Sequence, residues 1–145
     1  MHYLDLELKG IDEKSNIKDF KLKDFQGKNI ILYFYPQDDT PTCTKEAQYF
    51  RDEIEKLKNF ATIIGVSESD IDEHIAFQKK HKLNFILLSD NKNELKKLFE
   101  QHLKMFPKIN RSTFILDKNG AIIKLWEKVD VDEHMQELEN FFNKS

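Results

Sequence analysis

Cys43 is the single cysteine of this 145-residue chain, and a lone thiol does chemistry only where its surroundings favour the thiolate. It stands in Pro36-Gln-Asp-Asp-Thr40-Pro41-Thr42-Cys43-Thr44, directly after the β-branched and aromatic run Asn29-Ile-Ile-Leu-Tyr-Phe-Tyr35. The run reads as a strand, and Thr40 followed by Pro41 reads as a helix N-cap and a first-turn proline. Cys43 then falls in the first turn of a helix, where unpaired backbone N–H groups and the positive end of the dipole favour a charged sulfur. In most domains a free cysteine is an inert small hydrophobe. Here the flanking Thr42, Thr44, Lys45 and Glu46 are polar, so the thiol is expected to be reachable and able to act as a nucleophile.

The elements that must position it follow from apolar spacing. Short alternating segments at Tyr3–Leu8 and Phe20–Lys23 read as early strands, and Phe25-Gln-Gly27-Lys-Asn29 marks a turn into the strand Ile30–Tyr35. The helix carrying Cys43 continues through Ala47, Phe50, Ile54 and Leu57 at helical spacing, and Ala61–Val66 reads as a buried strand. Ser67, Ser69 and Asp70 supply capping chemistry for a helix with Ile71, Ile75 and Phe77 on its apolar face; a strand near Phe85–Leu88 and a short helix with Leu95, Leu98 and Phe99 come next. Ser112–Leu116 and Ala121–Trp126 form a hairpin across Asp117-Lys-Asn119-Gly120, whose Asn-Gly tolerates positive φ, and a last helix covers about Val131–Phe142. Strands alternating with helices and ending in a hairpin and a helix indicate an α/β, thioredoxin-like fold, with a mixed central sheet flanked by helices and an N-terminal β-hairpin extension.

Composition narrows the function. Twenty-three Lys plus Arg against 26 Asp plus Glu give a formal charge of -3, with the signs interspersed, which argues against a nucleic-acid partner. The length suits a single domain over 1–145, without repeats or linkers. One cysteine forms no internal disulfide, the opening Met1-His-Tyr-Leu-Asp-Leu-Glu7 lacks the pattern of a signal peptide, and no apolar run approaches the roughly 20 residues that span a bilayer, so a cytoplasmic protein without a membrane partner is expected. The five histidines show no paired ligand spacing, and neither a metal nor a cofactor is expected.

Pro36-x3-Thr40-x2-Cys43, with Thr44-Lys45-Glu46-Ala47 after it and Asn110-Arg111-Ser112-Thr113-Phe114-Ile115 later, resembles the peroxiredoxins, in particular the bacterioferritin comigratory protein or peroxiredoxin Q subfamily. Gly65-Val66-Ser67, His74-x2-Phe77 and Leu87-Leu-Ser-Asp90 match the same subfamily in order and spacing, so the resemblance covers nearly the whole chain. It implies thiol-dependent reduction of hydrogen peroxide and organic hydroperoxides in antioxidant defence, with Cys43 becoming a sulfenic acid. Within it, Thr40 would hold the peroxide through its hydroxyl, Pro36 would wall the pocket, Arg111 would stand beside Cys43 and stabilise the departing oxygen, and Glu46 would orient Arg111. The subfamily is often monomeric, which implies a monomer here.

Two positions depart from the pattern. Gln48 stands where many members carry a resolving cysteine, so the resemblance implies a one-cysteine cycle that uses an external thiol (thioredoxin, glutathione or a glutaredoxin) or a disulfide between two copies of Cys43. Thr42 replaces the usual glycine before the cysteine. A glutaredoxin-like thiol transferase is the nearest rival, but its Cys-x-x-Cys or Cys-x-x-Ser signature is missing, and Pro107 is not placed immediately before the strand at Ser112. The rival from another class is a non-enzymatic redox sensor, which the loss of the second cysteine favours.

Overall fold

The computed structural model describes residues 1–143, so Lys144 and Ser145, the end of the expected 1–145 domain, lie outside the described residues. Among the described residues seven strands, β1 (Leu8–Ile11), β2 (Ile17–Phe20), β3 (Asn29–Phe34), β4 (Ala61–Ser67), β5 (Ile86–Ser89), β6 (Ser112–Leu116) and β7 (Ile122–Trp126), are interspersed with four α-helices, α1 (Pro41–Leu57), α2 (Ile71–His81), α3 (Glu94–Glu100) and α4 (Val131–Asn143). The strands form one sheet in the order β2-β1-β5-β4-β3-β6-β7. Strands β3, β4 and β5 run parallel, and the remaining neighbours pair antiparallel, giving the mixed sheet expected.

Side chains along β3 alternate between two apolar layers. Ile31, Tyr33 and Tyr35 join Cys43, Ala47, Phe50, Phe77 and Leu138 on the face covered by α1, α2 and α4. Ile30, Leu32 and Phe34 join Leu95, Phe99 and Phe114 on the face covered by α3. A strand buried on both faces reads as a continuous apolar run, which is why β3 was the clearest strand in the sequence.

The two earliest strands are displaced from their expected places. The Tyr3–Leu8 segment is mostly a turn, and only its last residue enters β1; Phe20 ends β2, and Leu22–Phe25 is a 3-10 turn. Tyr3, Leu4 and Leu6 do bury against the α3-side layer, so the apolar spacing was real, but it reports packing and not strand pairing. The hairpin turn falls at Asp12–Asn16, where the Asp12 carboxylate accepts the Lys14 and Asn16 backbone N–H groups and Ser15 takes a φ of 67°.

Gly10 seats this hairpin on the rest of the sheet. It pairs with Leu88 of β5, and a Cβ built there would lie 2.6 Å from the Leu87 carbonyl oxygen and 2.7 Å from Leu88 Cδ2. Backbone does not yield as a flexible side chain does, so Gly10→Val is expected to destabilise the protein by about 1–3 kcal/mol through overpacking, checked by urea unfolding.

Candidate active site

Register brings the site together. In the β3–β6 ladder Phe34 pairs with Ser112, so the next step places Arg111 beside Tyr35, at the carboxyl end of β3 where the chain turns into α1. On its other side the Arg111 carbonyl accepts the Val129 N–H at 2.9 Å, and Ser112 Oγ donates to the Glu127 carbonyl at 2.6 Å. A residue 68 positions from Cys43 is thereby fixed against the first turns of α1.

There Arg111 Nη2 donates to Cys43 Sγ at 3.3 Å while Nη1 donates to Glu46 Oε1 at 2.7 Å. One planar guanidinium bridges sulfur and carboxylate, a fork that lysine would not reproduce. Three of the five expected site residues, Cys43, Arg111 and Glu46, therefore touch. Pro36 and Thr40 lie on the loop between β3 and α1, Pro36 exposed and Thr40 half-buried.

Cys43 is only 2 % exposed, which corrects the expectation of a reachable thiol. Polar sequence neighbours do not decide exposure in a helix; residues three and four positions on do. Thr42 and Lys45 point to solvent, whereas Glu46, Ala47 and Phe50 line the inner face with Cys43. Thr40 occupies the N-cap and Pro41 the first helical position, as expected, but the Thr40 side chain makes no capping bond. Its hydroxyl donates to the Gln37 carbonyl at 3.3 Å, leaving both oxygen lone pairs free to accept. Thr42 has no positive φ, so its backbone does not require the glycine it replaces.

Electrostatics around the sulfur are set by burial. Burial pushes the Glu46 carboxyl up to about 7, and the nearby Arg111 only partly opposes this. Burial works against the Arg111 charge too, but Glu46 and Cys43 outweigh it and hold the guanidinium above its ordinary value. Tyr33 stacks on Phe50 at a centroid distance of 4.4 Å in the same layer. Burial first, then the Glu46, Asp38 and Cys43 charges, raise the Tyr33 phenol well above its ordinary value, so it stays neutral.

Asp38 and His74, the latter part of the His74-x2-Phe77 motif but given no role by the sequence, stand behind the loop. Asp38 is 6 % exposed and its carboxylate accepts from Tyr35 Oη at 2.6 Å and meets His74 Nδ1 at 2.6 Å. Helical spacing held a signal for His74: it lies three residues before Phe77, on the inner face of α2, where a histidine needs a partner. Cleft size does not point to the site. A cleft of about 630 Å³ lies at the opposite end of the sheet over the starts of β3, β4 and β5; a smaller one of about 200 Å³ is lined by Pro36, Ser67, Asp90 and Asn110.

Residues 2–125 match the model of the AhpC/TSA family. The chain belongs to that family. It is 46 % identical over 140 residues to peroxiredoxin Bcp of Bacillus subtilis (strain 168), covering 92 % of this chain and 87 % of the relative. Its fold superposes with a TM-score of 0.86 on a cysteine-to-serine variant of Xanthomonas campestris peroxiredoxin Q, 31 % identical, over 99 % of this chain and 94 % of the other. The Xanthomonas campestris bacterioferritin comigratory protein, in trapped intermediate and ligand complexes bearing on its alkyl peroxide reduction activity, superposes with a TM-score of 0.82 at 30 % identity, over 96 % and 93 % of the two chains. These relatives bear out the family, the peroxiredoxin Q kinship and the thioredoxin-like fold expected from the sequence.

The buried carboxyl makes stability depend on pH. Glu46 holds its proton more tightly folded (about 7) than unfolded (near 4.5), so its stabilising contribution is complete below about 4.5 and lost as pH rises through 7. The stability of the wild type relative to Glu46→Gln is therefore expected to fall by about 2 kcal/mol between pH 5 and 7.5, measured by urea unfolding at the two values.

Proposed function

We infer that the chain is a one-cysteine, thiol-dependent peroxidase, an oxidoreductase whose reacting atom is Cys43 Sγ. The observation that carries the reading is the Arg111 fork, which places a fixed positive charge 3.3 Å from the only sulfur nucleophile of the chain, almost out of water. Charge that develops on a departing oxygen is best stabilised by a donor already in place.

In the first half of the cycle the Cys43 thiolate attacks the terminal oxygen of the peroxide. The S–O bond forms as the O–O bond breaks, sulfur loses two electrons, and the other oxygen leaves with a proton as water or an alcohol. Arg111 stabilises the thiolate and the leaving oxygen, Thr40 orients the peroxide through its hydroxyl, and Pro36 shields the reacting atoms. Glu46 holds the guanidinium against the sulfur. In the second half an external thiol attacks the sulfenic sulfur and releases water; a second thiol then displaces Cys43 from the mixed disulfide and carries away the oxidised pair.

The reductant is a thioredoxin-type or other small thiol donor, and hydrogen peroxide and organic hydroperoxides are the substrates, in keeping with the alkyl peroxide reduction described for the Xanthomonas relative. The working unit is a cytoplasmic monomer of one domain over 1–145. No described helix is long and apolar enough to cross a membrane.

Stopped-flow mixing of the reduced protein with hydrogen peroxide, followed by loss of free thiol, tests the assignment. Cys43→Ser is expected to abolish the reaction, and Arg111→Ala to slow it by about 10²–10³-fold. A wild-type rate equal to that of a free thiol in solution would overturn the reading, as would failure to turn over repeatedly when an excess of thiol is supplied.

A further inference from the structure

The loop bearing Pro36 and Thr40 takes its shape from α2, a helix that supplies no residue to the Arg111–Cys43–Glu46 cluster. Asp38, midway along the loop, is tied at three points: its backbone N–H donates to Ser69 Oγ at 3.0 Å, its Oδ1 accepts from Tyr35 Oη at 2.6 Å, and its Oδ2 meets His74 Nδ1 at 2.6 Å. His74 is fully buried, and its Nε2 lies 3.0 Å from the Leu88 carbonyl oxygen. A carbonyl only accepts, so Nε2 carries hydrogen and donates to it. Tyr35 is buried with its phenol neutral, so it is a standing donor to Oδ1, and the remaining contact, Oδ2 to Nδ1, holds a single shared proton.

The next residue needs outside support as well. Asp39 has a φ of 60°, a left-handed backbone that costs a non-glycine residue energy unless its surroundings impose it. Lys80 Nζ at 2.9 Å and His81 Nε2 at 3.0 Å, both on α2, hold its carboxylate. The loop is thus pinned to α2 from the buried side through His74 and from the exposed side through Lys80 and His81.

We propose that His74 is a positioning residue for peroxide reduction: through Asp38 it fixes the Pro36–Thr40 loop, and with it the Thr40 hydroxyl, in register with Cys43. The inference rests on the peroxidase reading above. His74 touches neither the sulfur nor the guanidinium among the described hydrogen bonds, so it acts through geometry alone, and a reacting group misplaced by about 1 Å costs up to about 100-fold in rate.

The two nitrogens of His74 allow the loop role to be separated from a merely structural one. In His74→Asn the amide nitrogen stands in for Nδ1 and keeps the bond to Asp38 while losing that to Leu88. In His74→Gln it stands in for Nε2 and keeps Leu88 while losing Asp38. Both variants give up one hydrogen bond of α2, so a structural role predicts equal effects. Positioning predicts a split: the second-order rate of the reduced protein with hydrogen peroxide falls about 10- to 100-fold in His74→Gln and stays within about threefold of wild type in His74→Asn, with similar melting temperatures. Tyr35→Phe deletes only a hydroxyl from the same carboxylate and is expected to slow the reaction several-fold. Equal rates for the Asn and Gln variants, or a wild-type rate for Tyr35→Phe, would overturn the proposal. A wild-type protein that reacts no faster than free thiol would instead remove the peroxidase reading beneath it, so the two failures are distinguishable.

Discussion

A guanidinium shared between a sulfur and a carboxylate, with the carboxylate side chain 1 % and the guanidinium side chain 13 % exposed, is the constraint around which the molecule is arranged. Charges taken out of water destabilise a fold unless each finds a well-placed partner. The arrangement therefore tolerates little slack in the β3–β6 register, in the seating of α1 on the sheet, or in the backbone bond that anchors Arg111 to Val129. A one-residue slip of β6, whose five residues are all buried, would exchange its side chains between the two apolar layers and carry Arg111 out of line with α1. On the reading proposed above, substrate chemistry and fold specificity meet in one contact.

Much of this was legible in the chain itself, and the failures share a cause. Cys43, Thr40 and Pro41 announced a helix start by local chemistry that survives in any context, and β3 announced itself by an unbroken apolar run. Asp70 and Glu73 cap α2 in the reciprocal manner their spacing suggests. Arg111 and Glu46 were found through motif resemblance, since nothing local marks a residue 65 positions away as a partner. The burial of Cys43 was misjudged by weighing adjacent residues instead of those a helical turn away. Asp38 has no mark in the sequence because a carboxylate in a polar turn looks solvated; only the fold reveals that it pairs with His74, 36 positions on. Tyr3–Leu8 shows the converse, where apolar spacing was present without the hydrogen-bonding neighbour that makes a strand.

Gln48 bears on how the cycle closes. Its side-chain nitrogen lies 3.5 Å from His81 Nδ1 on α2, and Arg51 Nη1 donates to the His81 carbonyl at 2.7 Å. On the other flank Lys45 pairs with Asp132 at the start of α4, and Tyr49 Oη donates to the same carboxylate at 3.0 Å. The outward face of α1 is thus fastened to folded helices on both sides at Gln48. On the peroxidase reading proposed above, a sulfenic acid at Cys43 would find no second thiol in this chain and would wait for an outside donor.

Asp38 and Asp39, chemically identical neighbours, answer to different solvents. The pair with His74 is sealed inside the protein, with side chains 0 % and 3 % exposed, and dissolved ions do not reach it. The pair with Lys80 stands in water, with side chains 62 % and 47 % exposed, where counterions screen charges over about 8 Å at physiological ionic strength and over about 3 Å at 1 M. Ionic strength therefore acts on one end of the loop and spares the other: concentrated salt weakens the Lys80 pair and leaves the strained backbone at Asp39 resting more on His81, while the inner anchor two residues from Pro36 stays fixed.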